Sequence, residues 1–229
     1  AEDGIRDSVA SRGLGDVYKR QASGETAKKL VVLLHGYGAN MHDLIGLVPH
    51  WVDLLPDAEF LSPNAPQVCA EHPVGRQWFP EDKLDLEHMQ AGVLSAAPLL
   101  DRFLDNELAK RELTEKSLVL IGFSQGTMMA LQVGLRRSCA PAGIIGYSGV
   151  IVGPERLANE IRVKPPVLLV HGDADPLIPA TALMMTENVL VTVGVSVKSH
   201  VSQGLGHGID TAGLALGRRF LADVFAISE

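Results

Sequence analysis

The chain has 229 residues, with 20 basic against 27 acidic side chains for a formal net charge of −7, and 46% of it is apolar. That length suits one domain able to bury a full core, and the acidic balance, with no basic run, argues against a nucleic-acid partner. No stretch of about 18 apolar residues is present, so no membrane-spanning helix is expected. The two cysteines, Cys69 and Cys139, are too few for a disulfide framework and fit free thiols in a reducing compartment. With no apolar secretory core near the start, a cytoplasmic location is expected.

Residues 1–21 show neither helical nor strand periodicity. Their end, Asp16-Val17-Tyr18-Lys19-Arg20-Gln21, resembles the translated end of an adapter used in preparing sequencing libraries. A non-native or disordered leader on an environmental, metagenomic sequence is therefore expected over 1–21, with a single domain over 22–229. The first apolar run, Lys29 to Leu34, ends in His35-Gly36 and reads as a buried parallel strand. Asp43 to Leu55 has helical period. Strand runs follow at Glu59 to Ser62, Ser117 to Gly122, Gly143 to Ser148 and Val167 to Gly172, and a more polar one at Val195 to Lys198 suits a sheet edge. The intervening helices are expected over Asp85 to Leu113, broken at Pro98, and over Gln125 to Arg137, Ala180 to Val193 and Asp210 to Ala226. Between Gly143 and Val167 there is room only for a short helix near Pro154 to Ile161. Alternating strands and helices predict an α/β fold with a mostly parallel sheet covered on both faces. The short fourth connection leaves no space for a cap domain, so an open cleft is expected.

Gly122-Phe123-Ser124-Gln125-Gly126 stands between an apolar strand and a segment of helical period. That context turns a common five-residue pattern into a nucleophile elbow: a sharp turn that lifts the serine hydroxyl above the sheet edge. A side chain at Gly122 or Gly126 would collide where strand and helix cross. A serine needs a base, and the base an orienting acid, here in the chain order nucleophile, acid, histidine. The acid is sought in Gly172-Asp173-Ala174-Asp175-Pro176. Asp175 lies further into the loop and is preferred; Asp173 beside Gly172 suits a turn. Of eight histidines, six precede Asp175. His207, in a glycine-rich loop, is preferred over His200 at the end of a strand. The developing oxyanion requires two backbone N–H donors, one from Gln125 and one from the loop His35-Gly36-Tyr37-Gly38.

Taken together, Leu34-His35-Gly36-Tyr37-Gly38, Pro63-Asn64-Ala65-Pro66, Trp78-Phe79, the serine motif, His171-Gly172-Asp173-Ala174-Asp175-Pro176 and Gly206-His207 resemble the phospholipase/carboxylesterase family of α/β-hydrolases from Leu30 to the C-terminus. The resemblance implies a single-domain, capless α/β-hydrolase fold and a carboxylesterase similar to acyl-protein thioesterases. It implies a triad of Ser124, Asp175 and His207, oxyanion amides from Tyr37 and Gln125, and Trp78 and Phe79 on the wall of the acyl pocket. The loop Asn40-Met41-His42-Asp43 departs from the eukaryotic thioesterases and favours the bacterial esterase branch. Short to medium acyl chains follow from the open cleft, and the family allows a homodimer. Acyl thioesters and lysophospholipids remain alternative substrates, and a non-catalytic binding module is a further alternative. Trp78 and Phe79 read equally as core aromatics, and the methionine pairs as core filler. No His, Asp or Cys set has metal-ligand spacing and the serine mechanism needs none, so neither metal nor other cofactor is expected.

Overall fold

A computed structural model describes Leu14 and residues 17–21, 26–81 and 86–227. Seven strands form one sheet: β1 (Val17–Gln21), β2 (Lys29–Leu34), β3 (Ala58–Pro63), β6 (Leu118–Phe123), β7 (Gly143–Tyr147), β8 (Val167–Gly172) and β9 (Val197–Ser202). Their order is β1-β3-β2-β6-β7-β8-β9, all parallel except β1, which runs antiparallel to β3. A two-stranded hairpin, β4 (Gln67–Val68) with β5 (Arg76–Gln77), stands outside it.

The central strands read as continuous apolar runs because both faces are covered. In β2, Leu30, Val32 and Leu34 enter one core layer, against α1 (Leu86–Ala109) and α2 (Gln125–Gly134). The alternate residues Val31 and Leu33 enter the other, with Trp51 and α5 (Thr211–Val224). Helices α3 (Pro154–Glu160) and α4 (Thr181–Thr192) complete the set. The only element between β7 and β8 is α3, so no cap covers the carboxyl ends of the strands there.

Within the expected leader, Val17–Gln21 form the edge strand, while 1–13, 15 and 16 lie outside the described residues. Val17 packs against one core layer and Tyr18 against the other, so the run does alternate; it is too short and too polar beyond Tyr18 to show this in the sequence. Pro98 does not break α1. It sits on the exposed face, as does Leu94, whose carbonyl would have received the missing N–H. The stretch from Asp43 forms a 3-10 helix, Leu44–His50, and then turns. The methionine pairs divide: Met128 and Met129 are buried, whereas Met184 and Met185 are more than 60% exposed. Among the described residues no helix is long and apolar enough to cross a membrane.

Candidate active site

In space, β2 lies between β3 and β6, so the chain leaves β2 toward one edge of the sheet and returns on its other side. Loops after adjacent strands that depart in opposite directions leave a crevice at the carboxyl ends. Here those are the loop His35-Gly36-Tyr37-Gly38 after β2 and Ser124 after β6.

Ser124 has φ +53° and ψ −117°, a conformation costing roughly 1–3 kcal/mol for a residue with a side chain. The turn is held from several directions. Ser124 N–H donates to Tyr147 O at 2.9 Å, and the Thr127 hydroxyl lies 2.9 Å from both Gly122 O and Tyr147 O. The flanking glycines are obligatory on steric grounds. A Cβ on Gly126 would stand 1.8 Å from Leu34 O, and one on Gly122 would stand 2.4 Å from the Gly126 backbone.

Asp175 is buried in the loop after β8. Its Oδ1 accepts the amides of Leu177 and Ile178 at 2.9 and 3.0 Å, and its Oδ2 lies 2.7 Å from His207 Nδ1. Burial pushes this carboxyl up, but the Ile178 amide, His207 and the Leu177 amide outweigh it and hold it below the ordinary carboxylate range. An ionised Asp175 makes His207 Nδ1 the protonated nitrogen and leaves Nε2 as the acceptor. Phe123 lies against this imidazole, ring centroids 4.9 Å apart. Among the described residues no hydrogen bond joins Ser124 Oγ to His207. Asp173 instead accepts the Gly204 amide at 2.6 Å, closing the base of the histidine loop. His200 lies within β9, at a separate surface cleft of about 550 Å³ under α5.

Neither the Tyr37 nor the Gln125 amide donates to another group among the described residues, and Gln125 is fully buried. The hairpin β4–β5 grips this loop: Gly38 N–H donates to Arg76 O at 2.9 Å and Arg76 N–H to Ala39 O at 2.7 Å. Trp78 and Phe79 are 0% and 1% exposed and pack in the core layer with α1 and α2. They are tied to the site through main-chain bonds: Trp78 N–H donates to Gln125 Oε1 at 3.0 Å, and Gln125 Nε2 donates to Phe79 O at 2.9 Å.

Sequence reasoning missed this carboxamide, because only the Gln125 backbone was called for by the motif. It also missed three titratable groups. His35 donates from Nδ1 to Gly36 O at 2.7 Å and accepts the Ala65 amide at Nε2 at 3.0 Å, while the Trp78 indole donates to His35 O at 2.9 Å. Burial lowers its pKa to about 4, against the Gly36 bond, so it is neutral at pH 7. His171 Nε2 is shared between Ile178 O at 2.8 Å and Asp175 Oδ2 at 3.2 Å, a second imidazole on the acid. Burial raises the Glu81 carboxyl, opposed by Gln125 and His207. His35 and His171 each precede a glycine at a strand end, which is the only sequence signal they carry; Glu81 carries none. Among the described residues no cluster could hold a metal ion.

The sequence model of the phospholipase/carboxylesterase family matches residues 19–225. The crystal structure of esterase PE8 superposes with a TM-score of 0.87 at 43% identity, covering 90% of this chain and 97% of that one. Esterase YpfH of Escherichia coli is 27% identical over 85% of this chain and 82% of its own length. Acyl-protein thioesterase 1 of Neurospora crassa is 27% identical over 77% of this chain and 79% of its own. With a capless, mostly parallel sheet and a serine elbow at its switch point, the chain belongs to the phospholipase/carboxylesterase family of α/β-hydrolases and is a carboxylic ester hydrolase.

Proposed function

We propose that the protein is a serine carboxylesterase that hydrolyses short- to medium-chain carboxylic esters through Ser124, His207 and Asp175. The observation that carries this is the strained Ser124 elbow at the same sheet edge as the 2.7 Å Asp175–His207 pair. Ser124 Oγ attacks the ester carbonyl while His207 Nε2 accepts its proton, and ionised Asp175 stabilises the imidazolium. The hydrogen bond between Ser124 and His207 tightens as substrate fills the cleft, as unliganded sites often hold it long. The Tyr37 and Gln125 amides receive the tetrahedral oxyanion; one such donor is typically worth about 10²–10³ in rate. His207 then returns the proton to the departing alcohol, and water, activated by the same imidazole, hydrolyses the acyl-enzyme.

The test is turnover of p-nitrophenyl butyrate by Ser124→Ala. Its loss to near the uncatalysed rate supports the assignment; wild-type turnover sinks it. Relatives named both as esterases and as acyl-protein thioesterases favour assaying an acyl thioester of the same chain length beside the ester.

A further inference from the structure

A cleft of about 210 Å³ opens beside the site, lined by Asp43, Leu44, Leu47, Phe123, Gly208 and Ile209. Its position relative to the reacting bond is fixed by its walls. Phe123 immediately precedes Ser124 and its ring rests on the His207 imidazole, while Gly208 and Ile209 immediately follow His207. Neither the oxyanion residues Tyr37 and Gln125 nor the hairpin β4–β5 contributes to it. The cleft therefore lies on the histidine side of the nucleophile, not on the oxyanion side.

If Ser124 and His207 act as proposed above, chemistry assigns an occupant to that side. When the tetrahedral intermediate collapses, the bond between the former carbonyl carbon and the alkoxy oxygen breaks. The electron pair goes to that oxygen, and the proton taken from Ser124 passes to it from His207 Nε2. The leaving oxygen must therefore sit against His207, and whatever it carries must extend past the imidazole into the space beside it. We propose that this cleft is the leaving-group subsite and that it selects esters of small, uncharged, apolar alcohols. Leu44, Leu47, Phe123 and Ile209 supply an apolar lining for an alkyl or aryl group, and the volume is below the several hundred Å³ of a drug-sized site. Asp43 stands at the same cleft, and among the described residues its carboxylate has no cationic partner. It repels an anionic leaving group, so the glycerophosphodiester of a lysophospholipid is disfavoured.

This inference rests on the serine-esterase reading, and its test separates the two. Acetate esters of straight-chain alcohols from methyl to hexyl are compared with methyl esters of acids of the same lengths. The wild-type protein is measured beside Leu47→Trp, which fills the cleft, and Leu47→Ala, which widens it. For the wild type, kcat/KM is expected to rise about fourfold per methylene along the alcohol series until the cleft is full, the equivalent of ~0.8 kcal/mol per buried CH₂. Leu47→Trp should lower butyl acetate at least tenfold, leaving methyl acetate and the acid series within about twofold. Leu47→Ala should move the optimum to longer alcohols, and it decides the matter if the tryptophan variant does not fold. Asp43→Asn should raise the rate on O-acetyl-lactate, relative to a neutral ester of equal size, several-fold. The assignment is overturned if the Leu47 variants reshape the acid series instead, or leave both series unchanged. Failure of the serine-esterase reading shows itself separately, as turnover that survives Ser124→Ala.

Discussion

The Gln125 carboxamide is fully buried and joins the nucleophile helix to the Trp78-Phe79 segment through two main-chain bonds of 3.0 and 2.9 Å. Gln125→Leu keeps a side chain of similar volume and retains the backbone N–H offered to the oxyanion. It strands a buried amide and a buried carbonyl, each costing about 1–3 kcal/mol when left without a partner. The expected destabilisation is thus ~2–6 kcal/mol, a large part of the ~5–15 kcal/mol that holds a domain folded. With a urea slope of about 2 kcal/mol per molar, the midpoint should fall by roughly 1–3 M at unchanged slope. Far-UV circular dichroism and the fluorescence of the two tryptophans, Trp51 and Trp78, should report the same shift. Turnover at low urea should fall by less than the ~10² expected for loss of an oxyanion donor. Gln125→Glu carries a pH signature. The protonated acid can donate to Phe79 O, whereas the carboxylate faces that oxygen and Glu81, so its folded pKa is raised. Relative to wild type its stability should be fullest below about pH 4 and decline as pH rises through the folded pKa. A Gln125→Leu midpoint within about 0.2 M of wild type would refute the reasoning.

Asp175→Asn should leave the fold intact and lower kcat by about 10⁴, as it removes the charge and favours the wrong imidazole tautomer; a loss below about tenfold would show that another group orients His207. His35, with a folded pKa of about 4 against 6.5 when unfolded, binds its proton less readily in the native state. Stability should therefore drop as pH falls from about 6.5 to about 4, by roughly 3 kcal/mol in total, and this slope should vanish in His35→Asn; equal slopes in the two proteins contradict the assignment. Gly126→Ala should yield no folded enzyme, because its methyl would overlap Leu34 O; normal expression and melting would show that the strand–helix crossing is looser than described. A chain starting at Ala22 should keep Ser124-dependent turnover but unfold at lower urea, since it loses the ladder from Val17–Gln21 to Ala58–Pro63; an unchanged midpoint would support a dispensable leader.

The bounds of β2 and β8 coincide with the runs read from the sequence, because a strand buried on both faces is apolar along most of its length. The serine elbow was equally legible from its local pattern of strand, glycine-flanked serine and helix, although the atoms that exclude a Cβ at Gly126 belong to Leu34 and His35, far away in the chain. Asp175 and His207 followed from chain order and loop position. What stayed hidden depends on distance along the chain or on exposure. The Gln125 carboxamide reaches partners 46 and 47 residues away, and nothing near it in sequence marks that use. β1 earns its place by backbone pairing to β3, which is blind to side-chain pattern. Pro98 ought to stop a helix, yet α1 runs through it at an exposed position. Trp78 and Phe79 are both buried, and their main-chain bonds to the Gln125 side chain carry no sequence signal.

The most direct measurement is the site of acylation. The protein is quenched in acid during turnover of p-nitrophenyl butyrate, digested, and mapped by mass spectrometry. A butyryl group is expected on the peptide carrying Ser124, and none in Ser124→Ala. An acyl group on another residue, or undiminished turnover by Ser124→Ala, would contradict it.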